Sequence, residues 1–176
     1  MKKMSRKLKP PVKVFGQNRN AEEPVLPALL LAGYRRIISE LLKTLDKNGF
    51  KGLRSKHGAL FANIGDKGVR PSELAKKAGI TPPAMVEVID ELEEMGYIER
   101  KKDLGDRRAL LIVLTKRGAK TAKLATNFFR SIEKKHETRL GKSEFLNFRK
   151  TLVLIGEYQE GEKRNTFLGN KITTAF

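Results

Sequence analysis

The stretch SELAKKAGITPPAMVEVIDELEEM, residues 72–95, decides how the chain reads. Pro71-Ser72-Glu73 is a helix-start signal, and Gly79 stops the short helix that follows. Thr81 caps a second helix with Pro82 at its first position, and Gly96 ends it after Met95. Two helices joined by a tight turn that opens on glycine form a helix-turn-helix. At 3.6 residues per turn, Met85, Val88, Ile89 and Leu92 share one face, which predicts its burial. Pro83, Glu87, Asp90 and Glu94 take the opposite face.

A hairpin follows at once. Tyr97 to Arg100 and Ala109 to Leu114 read as two short strands, and the Asp-Leu-Gly-Asp between them is turn chemistry. Helix, helix, basic hairpin is the order of a winged helix. In that arrangement the second helix presents its N-terminal end to a major groove, and the hairpin, or wing, reaches backbone or minor groove. The tip carries Arg107 and Arg108. A guanidinium fork grips phosphate through two bonds and keeps its charge, and a narrow minor groove concentrates negative potential. Asp103 is expected to bend the turn and Asp106 to hold an arginine in one orientation, so both support the wing. The same residues also read as an ordinary charged hairpin tip.

Outward from this unit the pattern is helical. Leu30, Tyr34, Ile37, Ile38, Leu41, Leu42 and Leu45 give helical spacing between Pro24 and Lys47, and Asn48-Gly49 stops it. A short helix fits Ser55 to Asn63. After Thr115, a cap, a long helix carries Leu124, Phe128, Phe129, Ile132 and Leu140 until Gly141 breaks it. A last helix runs from about Ser143 to Tyr158, with Phe145, Leu146, Phe148, Leu152 and Ile155. Residues 1–20 hold seven bases and no acid, interrupted by Pro10-Pro11. They read either as a phosphate-tracking arm or as a solvated terminus.

The totals agree. The 176 residues carry 37 Lys plus Arg against 20 Asp plus Glu, a net charge of +17. Such an excess points to a polyanion as partner. With no cysteine, thiolate zinc sites, disulfide scaffolds and thiol sensing are excluded, and two histidines, His57 and His136, do not suit a histidine-rich metal site. No metal and no cofactor is therefore expected. The longest apolar run, residues 25–33, is too short to span a bilayer, and the basic N-terminus has no apolar segment behind it; no membrane association and a cytoplasmic location are the default expectations. The carboxylate pairs Glu93-Glu94 and Asp103…Asp106 come with no nucleophile, metal set or glycine-rich phosphate loop, so the expectation is that the chain is not an enzyme.

The segments ELAKKAGI, DELEEMGYIER and DLGDRRALLIVLTKRG resemble the MarR family of bacterial transcription regulators. Asp106 and Arg108, with Leu114-Thr115 and Gly118 downstream, match that family's wing signature, and the likeness spans about residues 25–160. The resemblance implies a mainly α fold with a small β-hairpin wing: a winged helix-turn-helix with a flanking helical dimerisation domain. It divides the chain into a basic arm (1–23), dimerisation helices (24–47 and 119–160), a DNA-binding lobe (48–118) and a C-terminal tail (161–176). It implies a homodimer on a pseudo-palindromic operator in double-stranded DNA, acting as a sequence-specific transcriptional regulator, most simply a repressor. Ser72, Lys76, Thr81, Pro82, Val86, Glu87, Arg107 and Arg108 are then the DNA-facing set, with Arg108 as the minor-groove arginine. It also implies a cleft for a small aromatic or anionic ligand, for which Tyr34, Ile37, His57 and Phe61 are the candidates. For His57 the other reading is a satisfied core histidine.

The sequence departs from the family at Val86-Glu87, where Ser or Thr followed by Arg is usual. From Thr81 to Met95 there are five acids and no Lys or Arg. Glu87 would either accept a hydrogen bond from cytosine N4 or sit clear of the bases, paired with a lysine such as Lys76 or Lys77. Asp90 would pair with a base on the wing. A rival function follows: a winged-helix protein-interaction module whose acidic helix meets a protein, with weak or non-specific nucleic-acid binding.

Overall fold

The computed structural model describes residues 24–158 apart from 66, 104, 107 and 108, and without the side chains of 157 and 158. The expected arm (1–23) and tail (161–176) lie outside the described residues. Helix α1 spans Leu26–Lys47, with proline in its first turn, and Gly49 leaves it at φ +84°. A 3₁₀ turn over Ser55–His57 runs directly into α2, Gly58–Asn63. Helix α3 is Pro71–Ala78, and Gly79 at φ 65° supplies the left-handed stop that reverses the chain. Helix α4 is Pro82–Glu94, capped by the Thr81 side chain, which accepts from the Ala84 N–H at 3.4 Å. Strands β1 (Ile98–Lys102) and β2 (Leu110–Leu114) pair antiparallel, with Ile98 opposite Leu114 and Lys102 opposite Leu110. Helix α5, Lys116–Leu140, is capped by Thr115, and α6 is Lys142–Tyr158.

The predicted face of α4 is the buried one: Met85, Val88, Ile89 and Leu92 join Leu60, Val69, Leu74, Ala75, Tyr97, Ile98 and Ile112 in one core. At roughly 1.5–3 kcal/mol per fully buried aliphatic side chain, this cluster is the main favourable term of the lobe. The hairpin differs from the expected one: β1 extends to Lys102, Ala109 precedes β2, and two further contacts tie it to the core. Tyr97 is a core residue ahead of β1, its hydroxyl donating to the Lys51 carbonyl at 2.9 Å. Val69 also pairs with Ile112 through two backbone hydrogen bonds of 3.0 and 2.9 Å, which ties the segment before α3 to β2.

Helix α5 leaves the lobe through a tight junction. Thr115 donates its backbone N–H to the Tyr97 carbonyl at 3.1 Å, and its hydroxyl lies 2.7 Å from the Gly96 carbonyl. Arg117 lies over the Tyr97 ring, 4.5 Å from its centroid. A Cβ on Gly118 would fall 2.0 Å from the Tyr97 carbonyl oxygen, a backbone atom that cannot swing aside. Gly118→Ala is therefore expected to destabilise the fold by about 2 kcal/mol net of the helix propensity that alanine restores. For a chain of this size that lowers the thermal midpoint by roughly 4–8 °C. An unchanged midpoint in a circular-dichroism melt would contradict this close approach.

Candidate nucleic-acid interface

Ser72 and Lys76 on α3, Thr81 at the turn, and Pro82, Val86 and Glu87 on α4 are all exposed. The face of α4 opposite the core is thus available at its N-terminal end, where a groove-reading helix makes its contacts. Arg107 and Arg108 lie outside the described residues.

The acids of α4 are held from both sides. Lys56 in the 3₁₀ turn reaches Glu87 at 2.7 Å and Glu91 at 2.6 Å with one ammonium group. Arg100 on β1 reaches Asp90 at 2.5 Å and also pairs with Glu93. Glu87 is therefore paired, but by Lys56 rather than by Lys76 or Lys77. Lys77 instead bonds Glu73 one turn back on its own helix, at 2.7 Å. Asp90 does meet a base of the wing, Arg100. The two carboxylates raise the Lys56 pKa, Glu87 the more strongly. Lys56, then His57, hold the Glu91 carboxyl down at about 2. Since the folded value is depressed, this contribution to stability is complete above the ordinary carboxylate range and is lost only as pH falls toward 2.

His57 is 1% exposed. Its Nδ1 accepts from the Arg54 backbone N–H at 3.1 Å, and its Nε2 lies 2.8 Å from Glu91 Oε2. With Nδ1 accepting, the ring is the Nε2–H tautomer and donates to the carboxylate. Both nitrogens are satisfied, which supports the core-histidine reading over a ligand-lining one. The other three cleft candidates are spread over different surroundings. Phe61 packs edge-on against Tyr97, 6.3 Å between centroids, on the lobe core. Ile37 is half-buried on α1, which packs against α5, and Tyr34 is 56% exposed.

At the wing, Asp103 Oδ1 accepts from the Gly105 N–H at 2.9 Å. Asp106 meets an arginine from outside the wing, Arg70, at 3.4 Å, and the same guanidinium bonds Asp103 at 2.8 Å. Lys56, Arg70, Glu91 and Arg100 were not evident as site residues in the sequence. Their partners lie 31–36 positions away for Lys56 and Arg70, a separation at which no local pattern announces a pair.

The helices outside the lobe leave large apolar side chains uncovered. Leu26, Leu29 and Leu30 on α1, Phe129 and Leu140 on α5, and Leu146, Phe148 and Leu154 on α6 are all exposed in the single chain. Among the described residues no helix is long and apolar enough to cross a membrane.

Comparison with known proteins agrees with this architecture. The family model described as "MarR family" matches residues 66–110, which cover α3, α4, β1 and the turn that leads to β2. HTH-type transcriptional repressor Rv2887 of Mycobacterium tuberculosis is 33% identical over 89 residues, which are 51% of this chain and 64% of that protein. A repressor of Mycobacterium bovis, Mb2911, matches to the same extent. The chain thus covers a little under two thirds of the length of these relatives. Among solved structures, Streptococcus pneumoniae FabT in complex with DNA superposes with a TM-score of 0.68 at 22% identity, covering 78% of this chain and 97% of FabT. CouR from Rhodococcus jostii RHA1, bound to p-coumaroyl-CoA, gives 0.58 at 25% identity, covering 74% and 90%.

Proposed function

We propose that this chain, whose winged-helix lobe is of the MarR family, is a sequence-specific DNA-binding transcriptional regulator that works as a homodimer on a pseudo-palindromic site. The observation that carries the proposal is the exposed N-terminal end of α4, on a helix held farther along by Lys56 of the 3₁₀ turn and by Arg100 of the wing. Residues 24–47 and 119–160 supply the dimerisation helices, and 48–118 the DNA-binding lobe. The uncovered apolar side chains of α1, α5 and α6 support the dimer, since a specific interface needs only about 1,600 Å² of buried surface. Repression is favoured by the names of the curated relatives. The CouR complex with p-coumaroyl-CoA supports binding of an aromatic or anionic ligand, and release from DNA on such binding is part of the proposal. The test is selection of bound duplexes from a random pool, with light scattering on the same preparation. Recovery of an inverted repeat by a particle of twice 19.9 kDa is expected. A monomer at micromolar concentration, or a pool with no enriched sequence, would overturn the reading.

The protein-interaction alternative drew its support from the acidity of α4. Four of those five acids are engaged by Lys56 and Arg100, which weakens that support. Glu87 separates the readings. It is two-thirds exposed, on the face of α4 opposite the buried one. Glu87→Gln keeps the shape, removes one charge and leaves Lys56 to Glu91. Binding to all duplexes is expected to tighten by ~0.5–1 kcal/mol at low salt, with no change in preferred sequence. Loss of preference at one symmetric position would instead make Glu87 an acceptor for cytosine N4, and unchanged affinity would favour the protein partner.

A further inference from the structure

Arg70 occupies a position with two duties. Its backbone is the N-terminal cap residue of α3, its carbonyl accepting from the Leu74 N–H at 3.0 Å. Its side chain crosses to the wing, where Nε and Nη2 lie 3.3 and 2.8 Å from Asp103 Oδ2, and Nη2 lies 3.4 Å from Asp106 Oδ2. These two carboxylates frame the tip. The Asp103 N–H donates to the Ala109 carbonyl at 3.0 Å, the Ala109 N–H to the Asp106 carbonyl at 2.8 Å, and Asp103 also holds Gly105. The residue before Arg70 is the one that bridges to Ile112 in β2. One short segment, 69–70, therefore joins the helix-turn-helix to the wing by backbone on one side and by a forked cation on the other.

We propose that Arg70 is the positioning residue of the wing: it sets where the tip sits relative to α3 and α4, and it keeps the Asp103 and Asp106 charges from facing DNA phosphate. This rests on the DNA-binding reading above. An isolated exposed ion pair contributes little, but a guanidinium shared by two carboxylates at the two ends of one turn acts on a single geometric variable, the angle of the tip. A tip fixed before binding loses less freedom when it docks. The competing role for an exposed arginine at this place is a direct phosphate contact.

A double-mutant cycle separates the two roles. Arg70→Ala is expected to weaken binding of the selected duplex about threefold to tenfold in the wild-type background. In the Asp103→Asn/Asp106→Asn background the same change is expected to cost less than about twofold, because the clamp is already gone. Asparagine at 103 retains an oxygen for the Gly105 N–H, so the turn itself is kept. Arg70→Lys keeps the charge but not the fork and should fall between wild type and Arg70→Ala. Amide hydrogen exchange gives a readout independent of DNA. Gly105 and Ala109 should exchange about threefold faster or more in Arg70→Ala, with the amides of α4 unchanged. Equal loss of binding in the two backgrounds would assign Arg70 to phosphate and overturn the proposal, as would unchanged exchange at Gly105 and Ala109. If no duplex is bound at all, the regulator reading fails, and exchange alone decides whether Arg70 positions the tip.

Discussion

Raising salt from about 50 to about 200 mM is expected to weaken duplex binding by roughly 10³- to 10⁵-fold. The expectation comes from counterion release: each phosphate neutralised frees a condensed cation, and about 6–10 contacts per dimer give a loss of that size. The net charge of +17 per chain provides the cations. The acids that would oppose them near the helix-turn-helix are committed inside the protein, Glu87 and Glu91 to Lys56, and Asp90 and Glu93 to Arg100. Their repulsion of phosphate is therefore reduced, though Lys56 and Arg100 are correspondingly less available to DNA. Lys76 on α3 and Lys116 and Lys120 at the start of α5 are exposed and keep the surface of the lobe and its junction with α5 basic. Titrations at five or six salt concentrations give the slope of log affinity against log salt. Deleting residues 1–20, which remove seven bases and no acid, should flatten that slope if the arm tracks phosphate. An unchanged slope would assign those residues to the solvated-terminus reading. A loss of less than about tenfold over the whole range would show that phosphate is not the main partner.

What was legible in the sequence was what repeats locally. The core face of α4 stood out because Met85, Val88, Ile89 and Leu92 recur at helical spacing, and Thr81 and Gly79 mark its turn with residue types chosen for their backbone geometry. The acidity of α4 was visible too, but its meaning was not. Whether Glu87 faces solvent, a base or a lysine depends on a 3₁₀ turn 31 residues earlier, and a long flexible side chain such as Lys56 leaves no periodic trace. The Val69–Ile112 bridge was hidden for a related reason: a single paired residue has no alternation to read. His57 illustrates a different limit. A lone histidine near a predicted helix fits either a ligand site or, more readily, a core, and the sequence does not announce the Arg54 N–H on one side of the ring or Glu91 on the other. Asp106 was expected to hold an arginine, and among the described residues it meets Arg70, from the segment before α3.

Arg108→Ala is expected to weaken binding of the selected operator by ~1–3 kcal/mol per half-site. Two half-sites make this roughly 30-fold to 10⁴-fold for the dimer. The proposal rests on position and chemistry. Arg108 follows Asp106 by two residues and precedes the strand that begins at Leu110, as in the wing signature of the MarR family. The described residues on either side of it in the chain are tied by the Asp103–Ala109 and Ala109–Asp106 backbone bonds, and Asp103 and Asp106 also meet the Arg70 guanidinium. A charged side chain on a fixed stem loses less freedom on entering a groove, and there the negative potential of a narrow minor groove acts on it with little competition from water. Arg107→Ala should cost less, since only one of two adjacent residues on a hairpin tip can enter the groove while its neighbour points away. Both variants should keep the helical circular-dichroism spectrum and the dimer mass; a loss of either would assign the residue a role in the fold. The comparison is made on the selected duplex and on a scrambled one at the same salt. A loss confined to the selected duplex would make Arg108 a reader of groove shape, and an equal loss on both would make it a phosphate contact. Equal affinity of Arg108→Ala and wild type for the selected duplex would remove the wing from the interface altogether.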